Sequence, residues 1–599
     1  NGNGADTGDS LGVVAVNGIP QAIGRQITLP SGARVFVDAN GTFEYDPTGA
    51  FTDLAEGAQI TDSFVYALSD GTGNDGLGGF TAVKELSALD GTNGFAITGF
   101  PSYVYSGYAV SSAGDVNGDG IDDVIIGVEA RDSNGESYVV FGTDTGFGAS
   151  LELSALDGTN GFVINGIDEY DHSGASVSSA GDVNGDGIDD LIIEGHGSPN
   201  GLYSGESHVV FGTDTGFGAR LELSALDGTN GFTLNGIDSF DLSGTSVSSA
   251  GDVNGDGIGD VIIGSVFASP NGVSSGESYV VFGKTTGFGA SFELSVLDGT
   301  NGFVINGIDE GDYSGTSVSS AGDVNGDGID DVIIGASFAE PNGRRSGESY
   351  VVFGKDTGFG ASLELSALDG TNGFVINGID SYDYSGTSVS SAGDVNGDGI
   401  DDVIIGANLA DPNGLYSGES YVMFGTDTGF GPSFELSALD GTNGFVINGI
   451  GEYDHSGTSV SSAGDVNGDG IDDVIIGAHD ADPNGVSSGE SYVVFGKTTS
   501  FGASLELSAL DGTNGYIING IDVGDKSGTS VSSAGDVNGD GIDDVIIGAS
   551  NANPNGPVSG ESYVVFGRSS STPGIDIATV SVTVTGVTND DIYGDGYQA

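Results

Sequence analysis

The 599-residue chain has no cysteine and only five histidines. Without cysteine, no disulfide can hold the fold together. No apolar run approaches the roughly 20 residues of a membrane span. The first residues, NGNGADTGDS, form no basic or apolar leader, so we expect a mature protein or an excised piece of a longer one.

Basic residues are also scarce, with 12 Lys and Arg against 87 Asp and Glu, which gives a formal net charge of −75. Nucleic acids and anionic membranes bind clusters of Lys and Arg. We therefore expect no nucleic-acid partner and no direct insertion into a membrane. A surface of this charge suits cations, or keeps the protein soluble in salt.

Strong helix formers are sparse, whereas Val, Ile, Thr, Phe and Tyr are plentiful among 111 glycines. The stretch DVNGDGIDD begins at residue 115 and returns at 182, 323, 394, 465 and 536, and as DVNGDGIGD at 252, where Gly259 replaces an Asp that is not a predicted ligand. Each unit contains four strand-like segments, such as SVSSAGDV, DDVIIGA, ESYVVFG and GFVINGI, separated by glycine-containing turns. Four strands repeated radially predict an all-β, seven-bladed β-propeller over residues 80–567. A straight solenoid is the alternative.

Oxygen-bearing side chains occupy the first, third, fifth and ninth places of each repeated loop, and glycines lie between them. Ca²⁺ takes six to eight oxygen ligands, and a tight loop can direct alternate side chains to one point. The seventh residue adds a backbone carbonyl. An EF-hand would need Glu at the twelfth place, which holds Ile126. We predict about seven structural Ca²⁺ ions; the alternative is that these loops are only hairpin turns. The predicted metal ligands are Asp115, Asn117, Asp119, Ile121, Asp123, Asp182, Asn184, Asp186, Ile188, Asp190, Asp252, Asn254, Asp256, Ile258, Asp260, Asp323, Asn325, Asp327, Ile329, Asp331, Asp394, Asn396, Asp398, Ile400, Asp402, Asp465, Asn467, Asp469, Ile471, Asp473, Asp536, Asn538, Asp540, Ile542 and Asp544.

The units resemble FG-GAP repeats, the blades of the integrin α-subunit propeller, on the basis of SVSSAGDVNGDGIDDVIIGA. Two places depart from that pattern: Ser-Gly stands for Phe-Gly before the first strand, and Gly-Ala-Ser, Gly-Ala-Asn or Gly-Ala-His stands for Gly-Ala-Pro. The resemblance implies a seven-bladed propeller with metal-bearing loops, and it implies a ligand on the face opposite them.

Residues 1–75 do not follow the repeat, and GTFEYDPTGAFTDLAEGAQITDSFVYALSDG resembles a bacterial cadherin-like β-sandwich of the VCBS type. Its expected last strand is missing there and is found as IDIATVSVTVTGVTND at 575–590. We predict that 1–75 and 575–590 form one split sandwich into which the propeller is inserted, and that 591–599 is a tail. The alternative is an independent linker. The strand near 94–100 is expected to pair with the last blade (528–567) and close the ring.

Three classes of function compete: a binding module, an enzyme and a passive spacer. His172, His196, His208, His455 and His479 are scattered without an obvious catalytic constellation, and His172 and His455 occupy equivalent loop places expected to be solvated. We predict no enzyme; a secreted hydrolase is the second alternative, after the spacer. The preferred interpretation is a calcium-dependent adhesion module that is monomeric within a longer chain. We expect it to be secreted or displayed on a bacterial surface, because such loops fill with calcium only at extracellular calcium levels.

The ligand is predicted to bind the face opposite the calcium loops, where the loops differ between repeats. Exposed aromatic residues among polar groups suit contact with a cell-surface glycan or protein. Random drift between repeats is the alternative. The candidate residues are Tyr103, Tyr105, Tyr170, Phe240, Tyr313, Tyr382, Tyr384, Tyr453, Arg344 and Arg345.

Overall fold

The computed structural model describes residues 80–99, 105–128, 134–167 and 171–569, together with short stretches that form six further strands. It divides into two compact units, Asn1–Thr81 with Ser569–Ala599, and Ala82–Arg568. Tyr103 and Tyr170, two of the predicted ligand-binding residues, lie outside the described residues.

The first unit contains two three-stranded sheets. In one sheet, Gln59–Ser69 lies between Gly12–Val16 and Asp576–Thr585, and both pairings are antiparallel. The second sheet is a meander of Gln26–Thr28, Arg34–Val37 and Phe43–Asp46. A strand from the end of the chain thus pairs along its whole length with one that precedes the repeats. The split sandwich stays a prediction, as does the tail at 591–599, which lies outside the described residues.

The second unit is a ring of seven five-stranded sheets, so the predicted all-β seven-bladed propeller is confirmed. The innermost strands are Ser106–Gly114, Val177–Gly181, Ser243–Gly251, Ser317–Gly322, Ser388–Gly393, Ser459–Gly464 and Ser530–Gly535. The second strands are Asp123–Val128, Asp190–Gly195, Asp260–Ser265, Asp331–Ala336, Asp402–Ala407, Asp473–Ala478 and Asp544–Ala549. The third strands are Glu136–Val140, Glu206–Val210, Glu277–Val281, Glu348–Val352, Glu419–Met423, Glu490–Val494 and Glu561–Val565.

The fourth strands are, from blade 1 to blade 7, Gly161–Asn165, Gly231–Asn235, Gly302–Asn306, Gly373–Asn377, Gly444–Asn448, Gly515–Asn519 and Gly94–Thr98. A short fifth strand, absent from the four-strand prediction, comes from the next repeat and pairs parallel with the fourth. In the same order the fifth strands are Arg220–Glu222, Ser291–Glu293, Ser362–Glu364, Ser433–Glu435, Ser504–Glu506, Val83–Glu85 and Ser150–Glu152. Each is followed by a 3₁₀ turn, and these span Leu86–Ala88, Leu153–Ala155, Leu223–Ala225, Leu294–Val296, Leu365–Ala367, Leu436–Ala438 and Leu507–Ala509.

The start of the propeller therefore completes two blades. Val83–Glu85 is the fifth strand of blade 6, and Gly94–Thr98 pairs antiparallel with Glu561–Val565 as the fourth strand of blade 7. These pairings cover the outer sides of Gly515–Asn519 and Glu561–Val565, which would otherwise be open strand edges.

Small residues line the inner strands because neighbouring blades approach closely there. The Val389 N–H donates to Ser317 Oγ of the preceding blade at 3.1 Å, and Val110 donates to Ser530 at the same distance across the junction of blades 1 and 7. The second strands are buried along their whole length, as their continuous apolar sequence predicts.

Candidate functional site: seven acidic loops and the opposite rim

Each acidic loop joins the first and second strands of a blade, and its first aspartate holds the turn. In blade 5, Asp394 Oδ1 accepts the N–H groups of Gly397 and Asp398 at 2.7 and 3.0 Å, and Oδ2 accepts the Gly399 N–H at 2.8 Å. Asp398 Oδ1 accepts the Ile400 N–H at 3.1 Å. Gly397 and Gly399 have φ of 72° and 87°, a conformation that glycine adopts without strain.

The ninth residue of the loop is a buried carboxylate. Asp402 accepts the N–H groups of Val395 and Gly425 at 3.1 and 2.9 Å, and the Asn396 amide donates to both of its oxygens. Burial raises the pKa of Asp402 to about 8 against the Gly425 hydrogen bond, and the charges of Asp398 and Asp394 add to the rise. Burial likewise raises the pKa of Asp123, Asp190, Asp260, Asp331 and Asp544 to about 8, and that of Asp473 well above its usual range.

The predicted ligands thus lie in one loop per blade, but their carboxylates are directed at backbone N–H groups and not at a common point. The donor set still fits Ca²⁺, since each loop offers three carboxylates, an amide oxygen and the carbonyl of the seventh residue. In the present arrangement the Asn396 amide nitrogen faces Asp402, so coordination requires this amide to turn its oxygen inward.

The eighth residue of the loop, which was not predicted to be a ligand, forms a hydrogen bond to the neighbouring blade. Asp472 Oδ2 accepts the Asp394 N–H of the preceding blade at 2.8 Å. The equivalent bond occurs at five other junctions, including that of Asp536 with Asp122, which closes the ring. Gly259 occupies this place in blade 3, so the junction of blades 2 and 3 lacks the bond.

The opposite rim is formed by two kinds of loop, which connect the second strand to the third and the fourth strand to the next blade. The two loops of a blade lie side by side. In blade 4, the Tyr382 N–H donates to the Arg344 carbonyl at 2.8 Å, and the Tyr384 N–H donates to the Arg345 carbonyl at 3.1 Å. Equivalent bonds recur in other blades, so a fixed backbone displays pairs of variable side chains.

Sixteen residues other than glycine have a left-handed backbone among the described residues, and all of them lie on this rim. They include Phe240, Tyr382 and Tyr453, with φ of 72°, 76° and 70°. The same place holds Gly311 and Gly524 in two other blades, with φ of 87° and 84°. A bulky residue in this conformation costs about 1–2 kcal/mol, which glycine avoids.

The rim is also where apolar side chains are exposed. Of thirteen large apolar side chains exposed among the described residues, ten lie in these loops. The ten are Leu202, Tyr203, Phe240, Phe267, Val273, Tyr382, Leu415, Tyr453, Val486 and Val523.

Five of the predicted ligand-binding residues lie in neighbouring rim loops around blade 4. Tyr313, Arg345 and Tyr384 contact Phe338, and the Arg344 guanidinium lies 5.8 Å from the Tyr382 ring centre. The Arg345 Nη1 donates to Tyr384 Oη at 2.7 Å, and its guanidinium lies 4.9 Å from the Phe338 ring centre.

Three other predicted residues lie elsewhere on the rim. Phe240 contacts Tyr203, Tyr453 contacts Tyr416, and the Tyr105 N–H donates to the Val558 carbonyl. Phe338, Tyr203 and Tyr416 were missed, although each lies in a loop whose sequence varies between repeats.

Five segments of the chain match the model of the FG-GAP repeat, at residues 106–140, 314–352, 385–423, 456–494 and 527–565. These five segments are FG-GAP repeats. They correspond to blades 1, 4, 5, 6 and 7, and blades 2 and 3 have the same strand order.

The chain is similar to integrin α subunits. It is 32% identical to integrin alpha-4 of Xenopus laevis over 177 residues, which are 29% of this chain and 15% of that protein. It is 31% identical to integrin alpha pat-2 of Caenorhabditis elegans over 252 residues, 40% of this chain and 18% of that one. A phosphatidylinositol-glycan-specific phospholipase D of Dictyostelium discoideum is 27% identical over 340 residues, 53% of this chain and 33% of that enzyme.

The chain therefore spans a third or less of these relatives. Among solved structures, the V. cholerae biofilm matrix protein Bap1 aligns over 83% of this chain and 92% of its own, at 13% identity and a TM-score of 0.26. Within the part of the chain that the structure describes, no helix has the length and apolar character to cross a membrane.

Proposed function

We propose that this propeller is a calcium-dependent extracellular binding module whose ligand, a glycan or a protein, contacts the rim opposite the acidic loops. One observation carries the proposal. Phe240, Tyr382 and Tyr453 occupy left-handed positions that glycine fills in other blades, and all three rings are exposed. Backbone strain that is retained for a side chain about half exposed to solvent indicates a use for that side chain outside the fold.

Calcium would act on the other side of the ring. Three carboxylates and an amide in each loop supply the oxygen ligands that Ca²⁺ prefers, and its charge would offset the burial of the ninth aspartate. The role is structural, because an ion bound only by the folded loop stabilises the fold. The relationship to integrin α subunits supports an extracellular setting for the propeller, and the acidic loops favour one in which calcium is near millimolar.

The wider context is part of the same proposal. The VCBS-like sequence of the first unit supports a large bacterial surface or secreted protein, in which this chain would be one module. We propose a non-catalytic role, although one relative is a phospholipase D, because the carboxylates of the acidic loops are engaged by backbone N–H groups. A passive spacer is the alternative, and it predicts no use for the exposed rings.

The test compares wild-type protein with a Phe240→Gly, Tyr382→Gly, Tyr453→Gly variant on a glycan array and on a panel of immobilised cell-surface proteins, in millimolar calcium. Glycine is the residue that two other blades carry at this position, so the variant should fold, and relief of about 1–2 kcal/mol of strain at each position should keep its free energy of unfolding at or above that of the wild type. Binding by the wild type that the variant loses supports the proposal.

A matched control is Val486→Gly, which removes an exposed apolar side chain of the same rim that has no left-handed strain. It should leave most binding intact. Absence of wild-type binding to either panel favours the spacer, and equal binding by the triple variant places the ligand elsewhere.

A further inference from the structure

Four of the five histidines form two pairs at equivalent places of the repeat. His172 and His455 precede the innermost strands of blades 2 and 6, and His196 and His479 follow the second strands of the same blades. In blades 3, 4, 5 and 7 neither place holds histidine: the first holds Leu242, Tyr313, Tyr384 and Lys526, and the second holds Val266, Ser337, Asn408 and Ser550. The two histidines thus occur together or not at all, which indicates a shared use.

The sequence suggested that these histidines are solvated loop residues. In the structure, the two histidines of each pair instead lie next to each other on the rim. The rings of His455 and His479 are 5.9 Å apart, and those of His172 and His196 are 5.6 Å apart. A carboxylate completes each group. Asp480 follows His479 in blade 6, and Glu194 stands beside His196 in blade 2.

In blade 6 the three side chains converge. Asp480 Oδ2 lies 3.4 Å from His455 Nδ1 and 3.2 Å from His479 Nε2. One nitrogen of each ring and one Asp480 oxygen lie within 4.8 Å of one another, and this is the one such group of three among the described residues. Their side chains are 16–23% exposed, so the group is sheltered but reachable from solvent.

In each of the two rings, the nitrogen that faces away from Asp480 has no hydrogen-bond partner. His455 Nε2 and His479 Nδ1 are buried and make no hydrogen bond. Without a metal, the Asp480 carboxylate favours protons on the two nitrogens that face it. Because no hydrogen bond occupies the other two nitrogens, the protons can move there when a cation enters, and the nitrogens facing Asp480 then present lone pairs. Burial lowers the pKa of His455, which also favours the neutral ring.

We propose that His455, His479 and Asp480 bind a divalent transition-metal ion of the zinc class on this rim. Imidazole nitrogen suits Zn²⁺ and its neighbours in the transition series, whereas Ca²⁺ takes oxygen ligands, so this site is chemically distinct from the acidic loops. Three protein ligands leave a fourth position for water or for a donor atom of a bound molecule.

One charged neighbour opposes the ion. The Lys526 ammonium lies 3.0 Å from Asp480 Oδ1, the oxygen that does not face the rings. It leaves Oδ2 available but repels a cation nearby. Replacement of Lys526 by methionine should therefore tighten metal binding.

The test measures Zn²⁺ binding by calorimetry, and Co²⁺ binding by visible absorption, on the full chain in excess calcium. A His172→Leu, His196→Val background removes the blade 2 pair with the residues that blade 3 carries. We expect one saturable site in this background. The His479→Asn change introduces the residue of blade 5. It should weaken metal affinity at this site by at least ~10–100-fold, the range found for residues that only hydrogen-bond to metal ligands. A His455→Tyr, His479→Asn, Asp480→Leu variant reproduces Tyr384, Asn408 and Leu409 of blade 5 and should abolish it.

The converse variant tests sufficiency. Tyr384→His, Asn408→His and Leu409→Asp copy the blade 6 group into blade 5 and should add one site. Matching thermal unfolding midpoints in calcium would show that every variant is folded. Absence of a site in the background protein, or a site unchanged by the triple replacement in blade 6, overturns the proposal.

Discussion

The Asp472 carboxylate accepts the backbone N–H of Asp394 across the junction of blades 5 and 6, at 2.8 Å. The same bond is present at six of the seven junctions and is missing only where Gly259 stands opposite Asp182. The acidic loops therefore join the blades to one another as well as forming candidate ion sites.

The missing bond can be added. A Cβ on Gly259 would lie 3.3 Å from the Asp182 nitrogen, so an aspartate side chain at this position could reach that N–H. The Gly259 backbone is not left-handed, so an aspartate would cause no backbone strain. We expect Gly259→Asp to raise the free energy of unfolding by about 1 kcal/mol. Asp472→Gly should lower it by about 1–2 kcal/mol, because the half-buried Asp394 N–H loses a charged partner. Urea unfolding in saturating calcium measures both.

Asp472→Asn is the matched control, since its amide oxygen can still accept the hydrogen bond from Asp394. Its free energy of unfolding should fall less than that of Asp472→Gly. Equal losses for both changes would contradict a role for the hydrogen bond.

The contrast between Asp473 and Asp472 shows what could be predicted from sequence. The ninth aspartate follows from the spacing of oxygens within one loop, and the strands follow from apolar runs between glycine turns. Asp472 acts on Asp394 of another blade, 78 residues away, and no local pattern signals that bond. The fifth strand was missed for the same reason, because three residues such as Ser433–Glu435 pair with a strand of the preceding repeat.

The rim was predicted in outline only. Variation between repeats marked the loops that hold Tyr382 and Tyr384, but not the pairing of His455 with His479, because those residues are 24 positions apart in sequence. Phe338 was missed because a lone aromatic residue in a loop carries no sign of the Arg345 and Tyr384 that it contacts.

Calcium removal should destabilise the propeller, and one loop variant should reproduce a share of the effect. An ion at 100 times its dissociation constant contributes about 2.7 kcal/mol per site. We expect Asp398→Asn to lower the free energy of unfolding by up to about that amount in calcium. It should have little effect in chelator, because the amide oxygen can still accept the Ile400 N–H.

The control for this loop is Asp380→Asn, which removes one negative charge from the opposite rim. Thermal unfolding of the three proteins with calcium and with chelator provides the comparison. A wild-type midpoint that chelator leaves unmoved would show that the ions are not structural.

The rim carboxylates should make stability depend on pH. Burial raises the pKa of Asp383 to about 7, against the hydrogen bond that it accepts from the Asp380 N–H. Below pH 4 this group is protonated in both folded and unfolded chains. Between pH 4 and 7 the folded chain binds more protons, so stability falls as pH rises through this window and then levels off. Asp383→Asn should raise the unfolding midpoint above pH 7 and leave it nearly unchanged at pH 4.

Saturating calcium keeps the acidic loops constant in this experiment, and Glu452→Gln, in an equivalent loop of the next blade, serves as the control. A difference between Asp383→Asn and wild type that is the same at every pH would be inconsistent with titration of Asp383.

Lys84 stands where the other six fifth strands have leucine or phenylalanine. Its ammonium is 3.4 Å from the carbonyls of Asn93 and Phe566, at the seam where the start of the propeller meets its end. Burial, with a smaller contribution from the nearby Arg568 charge, lowers the pKa of Lys84 to about 7, although Asp544 opposes the fall. At neutral pH and below, the charged ammonium of Lys84 therefore destabilises the folded chain.

Replacement by leucine should stabilise the seam. Below pH 7 the lysine is charged in folded and unfolded chains alike, and the full penalty applies. As pH rises from 7 to 10.5 the folded chain loses its proton first, so wild-type stability increases and the penalty disappears. We expect Lys84→Leu to raise the free energy of unfolding by about 1–2 kcal/mol at pH 6 and by progressively less toward pH 10, since Lys84 keeps part of its surface in water. Lys284→Leu, which removes a partly exposed ammonium near the Phe288 ring, is the matched control and should show no such gain. A gain for Lys84→Leu that does not shrink with rising pH would mean that packing, not the buried charge, sets the difference.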